Sequence, residues 1–96
     1  MATILIIDDD RVFCDVLSRA ISRLGHNSTF ALTLKDGLDT AFSQDFDVVM
    51  LDVQLPDGNG ITAIPKIREM PSPPEVIIIT GSGDPDGAEL SLKCGA

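Results

Sequence analysis

Three consecutive aspartates, Asp8, Asp9 and Asp10, follow directly on the apolar run Ile4 to Ile7, and a further one, Asp52, ends the run Val48 to Leu51. A hydroxyl, Thr80, stands in the corresponding place after Val76 to Ile79. Carboxylates crowded together raise one another's pKa unless a hard cation sits among them. Mg2+ suits such a set, because it takes oxygen ligands, keeps several waters and needs only a few carboxylates beside phosphate oxygens. Asp52 is set apart by the turn Pro56-Asp57-Gly58-Asn59-Gly60 that follows it, expected to hold the loop tight and leave the carboxylate exposed. That makes Asp52 the candidate nucleophile. A carboxylate attacking phosphorus in line needs its own charge screened, the transferred oxygens neutralised and a hydroxyl donor for the product. Asp9 with a metal, Asp52 and Thr80 would supply those parts. Plainer readings stand beside these: Asp10 serves as a helix N-cap, and β propensity accounts for Thr80 as well as chemistry does.

These side chains need a scaffold that brings them to one edge. Short, continuous, β-branched runs at Thr3 to Ile7, Val48 to Leu51 and Val76 to Thr80 predict strands buried on both faces of a parallel sheet. Asn27 to Leu32, diluted by Ser28 and Thr29, predicts a weaker strand suited to an edge. Between them, Val12, Phe13, Val16, Leu17, Ala20, Ile21 and Leu24 recur at helical spacing behind Asp10 and stop at Gly25. Thr33 is expected to cap a second helix carrying Leu34, Leu38, Ala41 and Phe42, softened by Gly37 at a cost of about 1 kcal/mol relative to Ala. A third, from Gly60 to Met70, contains Pro65, which should kink it or delay its regular start. Asp84-Pro85 opens a fourth that ends near Gly95. Strands and helices alternate throughout, which predicts a doubly wound α/β sheet with its ligand site beyond the carboxyl ends of the strands.

Composition bounds the function. A chain of 96 residues is too short for two cores, so residues 1–96 are read as one domain. With 44% hydrophobic and 23% charged residues it is neither disordered nor of low complexity. A net charge of -8 repels nucleic acid phosphates and anionic lipid, so neither is expected as a partner. Cys14 and Cys94 are widely separated and His26 is the sole histidine, which excludes a zinc site and predicts reduced thiols. The first residues lack the basic start of a signal peptide, and no apolar run approaches a membrane span, so a cytoplasmic protein is expected.

Taken together, Ile4-Leu5-Ile6-Ile7-Asp8-Asp9-Asp10, then Asp47-Val48-Val49-Met50-Leu51-Asp52-Val53-Gln54-Leu55-Pro56-Asp57-Gly58-Asn59-Gly60, then Val76-Ile77-Ile78-Ile79-Thr80-Gly81 closely resemble the receiver domain of bacterial two-component response regulators. The resemblance implies a flavodoxin-like (CheY-like) fold in which Asp52 is the phosphoacceptor, Asp9 and Asp52 ligate Mg2+ with the Gln54 backbone carbonyl, and Asp8 acts through water. Thr80 would be the switch hydroxyl, and Gly81 would keep the phosphoryl site accessible. It also implies a sensor histidine kinase as partner, an output domain on the same polypeptide, homodimer formation, and no enzymatic turnover beyond the domain's own phosphorylation and dephosphorylation. The Leu55-to-Gly60 wording and Thr80-Gly81-Ser82-Gly83-Asp84 are similar to receivers of sigma-54-dependent transcription activators, which implies transcriptional output.

Such receivers carry a fifth strand with a lysine, and then a fifth helix, and no residue of this chain matches them. The chain is therefore expected to be a C-terminally incomplete receiver without its catalytic lysine. Two other readings stay open at this point. One is a pseudo-receiver that keeps the fold as an interaction platform without phosphorylation. The other is a haloacid-dehalogenase-like phosphatase, whose D-x-D-x-[T/V] pattern is satisfied by Asp8-Asp9-Asp10-Arg11-Val12, with Asp8 as nucleophile. The phosphorylated residue separates the three: Asp52, none, or Asp8.

Overall fold

The computed structural model describes residues 1–79. Strand β1 (Thr3–Ile7) leads through helix α1 (Arg11–Arg23) to β2 (Asn27–Ala31), and α2 (Leu34–Ser43) leads on to β3 (Val48–Asp52). A two-residue pair, β4 (Gln54–Leu55) and β5 (Gly58–Asn59), precedes a 3-10 turn over Gly60–Ala63, helix α3 (Ile64–Arg68) and β6 (Glu75–Ile79). The four long strands form one sheet in the order β2-β1-β3-β6, every neighbour parallel. This is the doubly wound arrangement, with β2 at an edge as its diluted apolar run predicts.

Alternation along each strand builds a core on either side of the sheet. Leu5, Ile7, Val49, Leu51 and Val76 pack with Ala41 of α2 and with Ala63 and Ile67 under α3. Ile6 packs with Cys14 and Ile21 of α1 on the other face, flanked by Phe30 and Met50. Full burial of each large aliphatic side chain contributes about 1.5–3 kcal/mol. Within α1 the buried line runs through Cys14, Leu17 and Ile21, which leaves Val12 and Val16 facing outward at 74% and 61% exposure. The helical period is as expected, but the apolar stripe is wider than the face the sheet covers. Phe42 of α2 is likewise exposed.

Local chemistry sets the helix boundaries. The Asp10 carboxylate accepts the Phe13 N–H at 3.1 Å and Thr33 Oγ1 accepts the Asp36 N–H at 3.1 Å, the two N-caps expected. Gly25, at φ +87°, closes α1 in a left-handed conformation. Pro65 occupies the first turn of α3, and the chain before it turns as 3-10, so the proline delays the helix rather than kinking it. Gly37 has a packing reason: a Cβ there would lie 2.6 Å from Ile7 Cδ1, so the missing side chain lets α2 close on β1. The helix expected at Asp84, and Thr80, Gly81 and Cys94, lie outside the described residues.

Candidate functional site

Because the chain runs from β1 outward to β2 and then returns to β3 on the other side of β1, the loops leaving β1 and β3 diverge and open a crevice. Ile7 of β1 is in register with Leu51 of β3. The next residue on each strand is an aspartate, so Asp8 and Asp52 stand side by side at the mouth of that crevice. Asp9 joins them: ligand oxygens of Asp8, Asp9 and Asp52 all lie within 4.8 Å of one another. Asp10 turns away into its capping role.

The carboxylates differ in surroundings. Asp8 is 3% exposed, and its Oδ1 accepts the Asp10 N–H at 2.9 Å. Burial pushes its pKa up to about 6, with the charges of Asp52, Asp9 and Asp10 adding to the rise and the Asp10 amide opposing it. Asp52 is 2% exposed, which corrects the expectation of an exposed carboxylate. The turn behind it closes on the backbone of Asp52 and Val53. Burial raises the Asp52 pKa, with Asp9 adding and the amides of Gln54 and Val53 opposing. Its Oδ1 accepts the Gln54 N–H at 3.3 Å, while Oδ2 is buried with no hydrogen-bond partner among the described residues. Leaving such an oxygen unsatisfied costs about 1–3 kcal/mol.

The loop after Asp52 is closed at both ends. The Gly60 N–H donates to the Val53 carbonyl at 2.7 Å, and Gln54 pairs with Asn59. A Cβ on Gly60 would collide with the carbonyl oxygen of Asp52, so only glycine allows this approach. Asn59 Oδ1 accepts the Ile61 N–H at 2.9 Å and starts the 3-10 turn. Asp57, at the tip, reaches across to α2, where its two oxygens accept the N–H groups of Leu34 at 2.8 Å and Lys35 at 3.0 Å. Behind the site, Cys14 donates its thiol to the Asp8 carbonyl at 3.4 Å. Burial and then the neighbouring carboxylates push that thiol up to about 12, so it stays protonated and unreactive.

An oxygen-only donor set, a raised pKa and an orphaned buried oxygen fit a hard divalent cation with few protein ligands. Sequence reasoning located Asp8, Asp9 and Asp52. It missed the bracing role of Asp57 and the packing role of Cys14. Asp57-Gly58 reads as a turn signal, and nothing local points to a helix some twenty residues earlier as its partner.

The response regulator receiver domain family matches residues 4–96 of the chain. Response regulator ArlR of Staphylococcus aureus is 34% identical over 96 residues, all of this chain and 43% of that protein. The chain thus spans less than half the length of this curated relative. Among solved structures, a receiver domain protein (CheY-like) from Methanospirillum hungatei superposes with a TM-score of 0.80 at 26% identity, over 90% of this chain and 69% of that one. Response regulator TrrA from Thermotoga maritima, in complex with Mg(2+)-BeF, gives 0.78 at 25% identity, over 86% of this chain and 72% of that one.

Proposed function

The chain belongs to the response regulator receiver domain family, and on that premise we propose that it accepts a phosphoryl group on Asp52 from a sensor histidine kinase and passes the signal to an output domain. The observation that carries this reading is Asp52 Oδ2, buried and without a partner among the described residues, beside Asp8 and Asp9. That oxygen has a lone pair that no donor among the described residues occupies. It attacks the phosphorus of a phosphohistidine, the P–N bond breaks as the P–O bond forms, and the departing imidazole nitrogen takes up a proton. The product is an aspartyl phosphate.

Asp9, Asp52 and the Gln54 carbonyl are the direct ligands proposed for Mg2+, with Asp8 one water removed. When bound, the cation supplies positive charge that offsets repulsion between the carboxylates and the incoming phosphoryl oxygens. Asp8 contributes a nearby negative charge that favours divalent over monovalent cations. The Gln54 N–H holds Asp52 Oδ1 and leaves the buried Oδ2 as the attacking oxygen. Thr80 is proposed to offer its hydroxyl to the transferred group, with Gly81 leaving that side open. A cytoplasmic location, a homodimer and transcriptional output of the sigma-54-dependent class belong to the same reading. No helix among the described residues is long and apolar enough to cross a membrane.

The test is acetyl phosphate with Mg2+, followed by mass spectrometry. One phosphoryl group on Asp52, absent from Asp52→Asn, is the expected result. A phosphoryl group on Asp8 would sink the proposal, and an unmodified chain would favour the pseudo-receiver.

A further inference from the structure

The loop that carries Gln54 is held at its base by the acceptor strand and at its tip by a different element. Asp57 spans the gap to α2 with both carboxylate oxygens, taking the free N–H groups of Leu34 and Lys35 in the first turn of a ten-residue helix. Leu34 Cδ2 lies 3.2 Å from where a Cβ on Gly58 would stand, so the hairpin tip and the start of α2 are also in van der Waals reach. At the other end of the same hairpin, Gln54 donates to Asp52 and pairs with Asn59, and Gly60 closes back on Val53. Only Leu55 and Pro56 separate Gln54 from Asp57. A displacement of the tip is therefore carried to the Gln54 peptide with little slack.

We infer that Asp57 is a positioning residue: by fastening the β4–β5 hairpin to the start of α2, it holds the Gln54 peptide where the Asp52 site needs it. This rests on the receiver reading of that site, and it makes α2 an element to which the phosphoryl site is mechanically tied. The two capping interactions on α2 separate the effect from mere helix stability. The Thr33 hydroxyl bonds within the helix start, to Asp36, whereas the Asp57 carboxylate joins the hairpin to that helix.

The experiment compares Asp57→Ala, Asp57→Asn and Thr33→Ala in the full chain. Two quantities are read: Mg2+ affinity from amide chemical shifts, and hydrogen exchange of the Gly60 amide in metal-free protein. Asp57→Ala should weaken Mg2+ binding roughly tenfold, as loss of an outer support of a metal ligand does, and speed Gly60 exchange. Asp57→Asn, which keeps one acceptor, should fall between, and Thr33→Ala should change neither. Equal effects of Asp57→Ala and Thr33→Ala, or none from Asp57→Ala, would overturn the inference. If the unaltered chain binds no Mg2+, the receiver chemistry fails, yet the exchange comparison still decides: faster Gly60 exchange confined to the Asp57 variants upholds the tether, and unchanged exchange removes it.

Discussion

Carboxylates packed together with no cation among them are a liability to the fold, and Asp8 shows this most clearly. Its folded pKa of about 6 exceeds the ordinary 3.8, so the folded chain binds the Asp8 proton more tightly than the unfolded chain does. Stability contributed by the protonated form is present below pH 4 and is lost as pH rises through about 6, by up to about 3 kcal/mol. Metal-free protein should accordingly show a falling urea midpoint between pH 4 and pH 7, once other titrations are subtracted. Asp8→Asn should flatten that fall and raise stability at pH 7, while weakening Mg2+ binding. An unchanged slope in the variant would mean that Asp8 is better solvated than its 3% exposure indicates. Asp52 shares the direction of shift. These neighbours were legible in the sequence because each follows an apolar run on adjacent strands. The burial of Asp52 was not, since a strand-end side chain's exposure depends on the loops packed around the crevice and not on the run that precedes it.

At the scale of elements, α2 illustrates a conflict between local propensity and packing. Gly37 reads as a weakness in the sequence, worth about 1 kcal/mol against alanine. In the structure it is the point where α2 meets Ile7, with three atoms of that side chain within 2.8 Å of a would-be Cβ. Ile7 is fully buried and cannot swing aside, and overpacking costs about 1–3 kcal/mol. Gly37→Ala should therefore destabilise the protein despite its better helix propensity, by about 1 kcal/mol net, read from chemical denaturation. A gain in stability would show that α2 can retreat freely. The four long strands and the three helical regions within residues 1–79 were foreseeable from period and caps. The β4–β5 pair was not, because two-residue strands carry no periodicity, and the outward-facing Val12 and Val16 were not, because a stripe gives a helix's apolar width without its partner's.

For the whole molecule, the net charge of -8 and the carboxylate cluster act together. A ligand that binds only the folded chain stabilises it by about 2.7 kcal/mol at a hundredfold excess over its dissociation constant. In a domain of this size, about 1 kcal/mol moves the melting temperature by roughly 4–8 °C. Mg2+ in that excess should raise the melting temperature by ten degrees or more on this scale, about twofold less in Asp9→Asn. Matched ionic strength from NaCl should do much less, because it screens the surface without entering the crevice. Equal shifts from the two salts would place the effect on general charge repulsion. The site itself is divided along the chain, with Asp8 and Asp9 at the end of β1 and Asp52 at the end of β3. At ribosomal speeds of about 5–20 residues per second, some seconds pass between synthesis of the first pair and of their partner. If the chain is a phosphoacceptor as proposed, a nascent chain has nowhere to hold the cation or the phosphoryl group until β3 has docked beside β1, and a kinase meeting it before then would find no acceptor to charge.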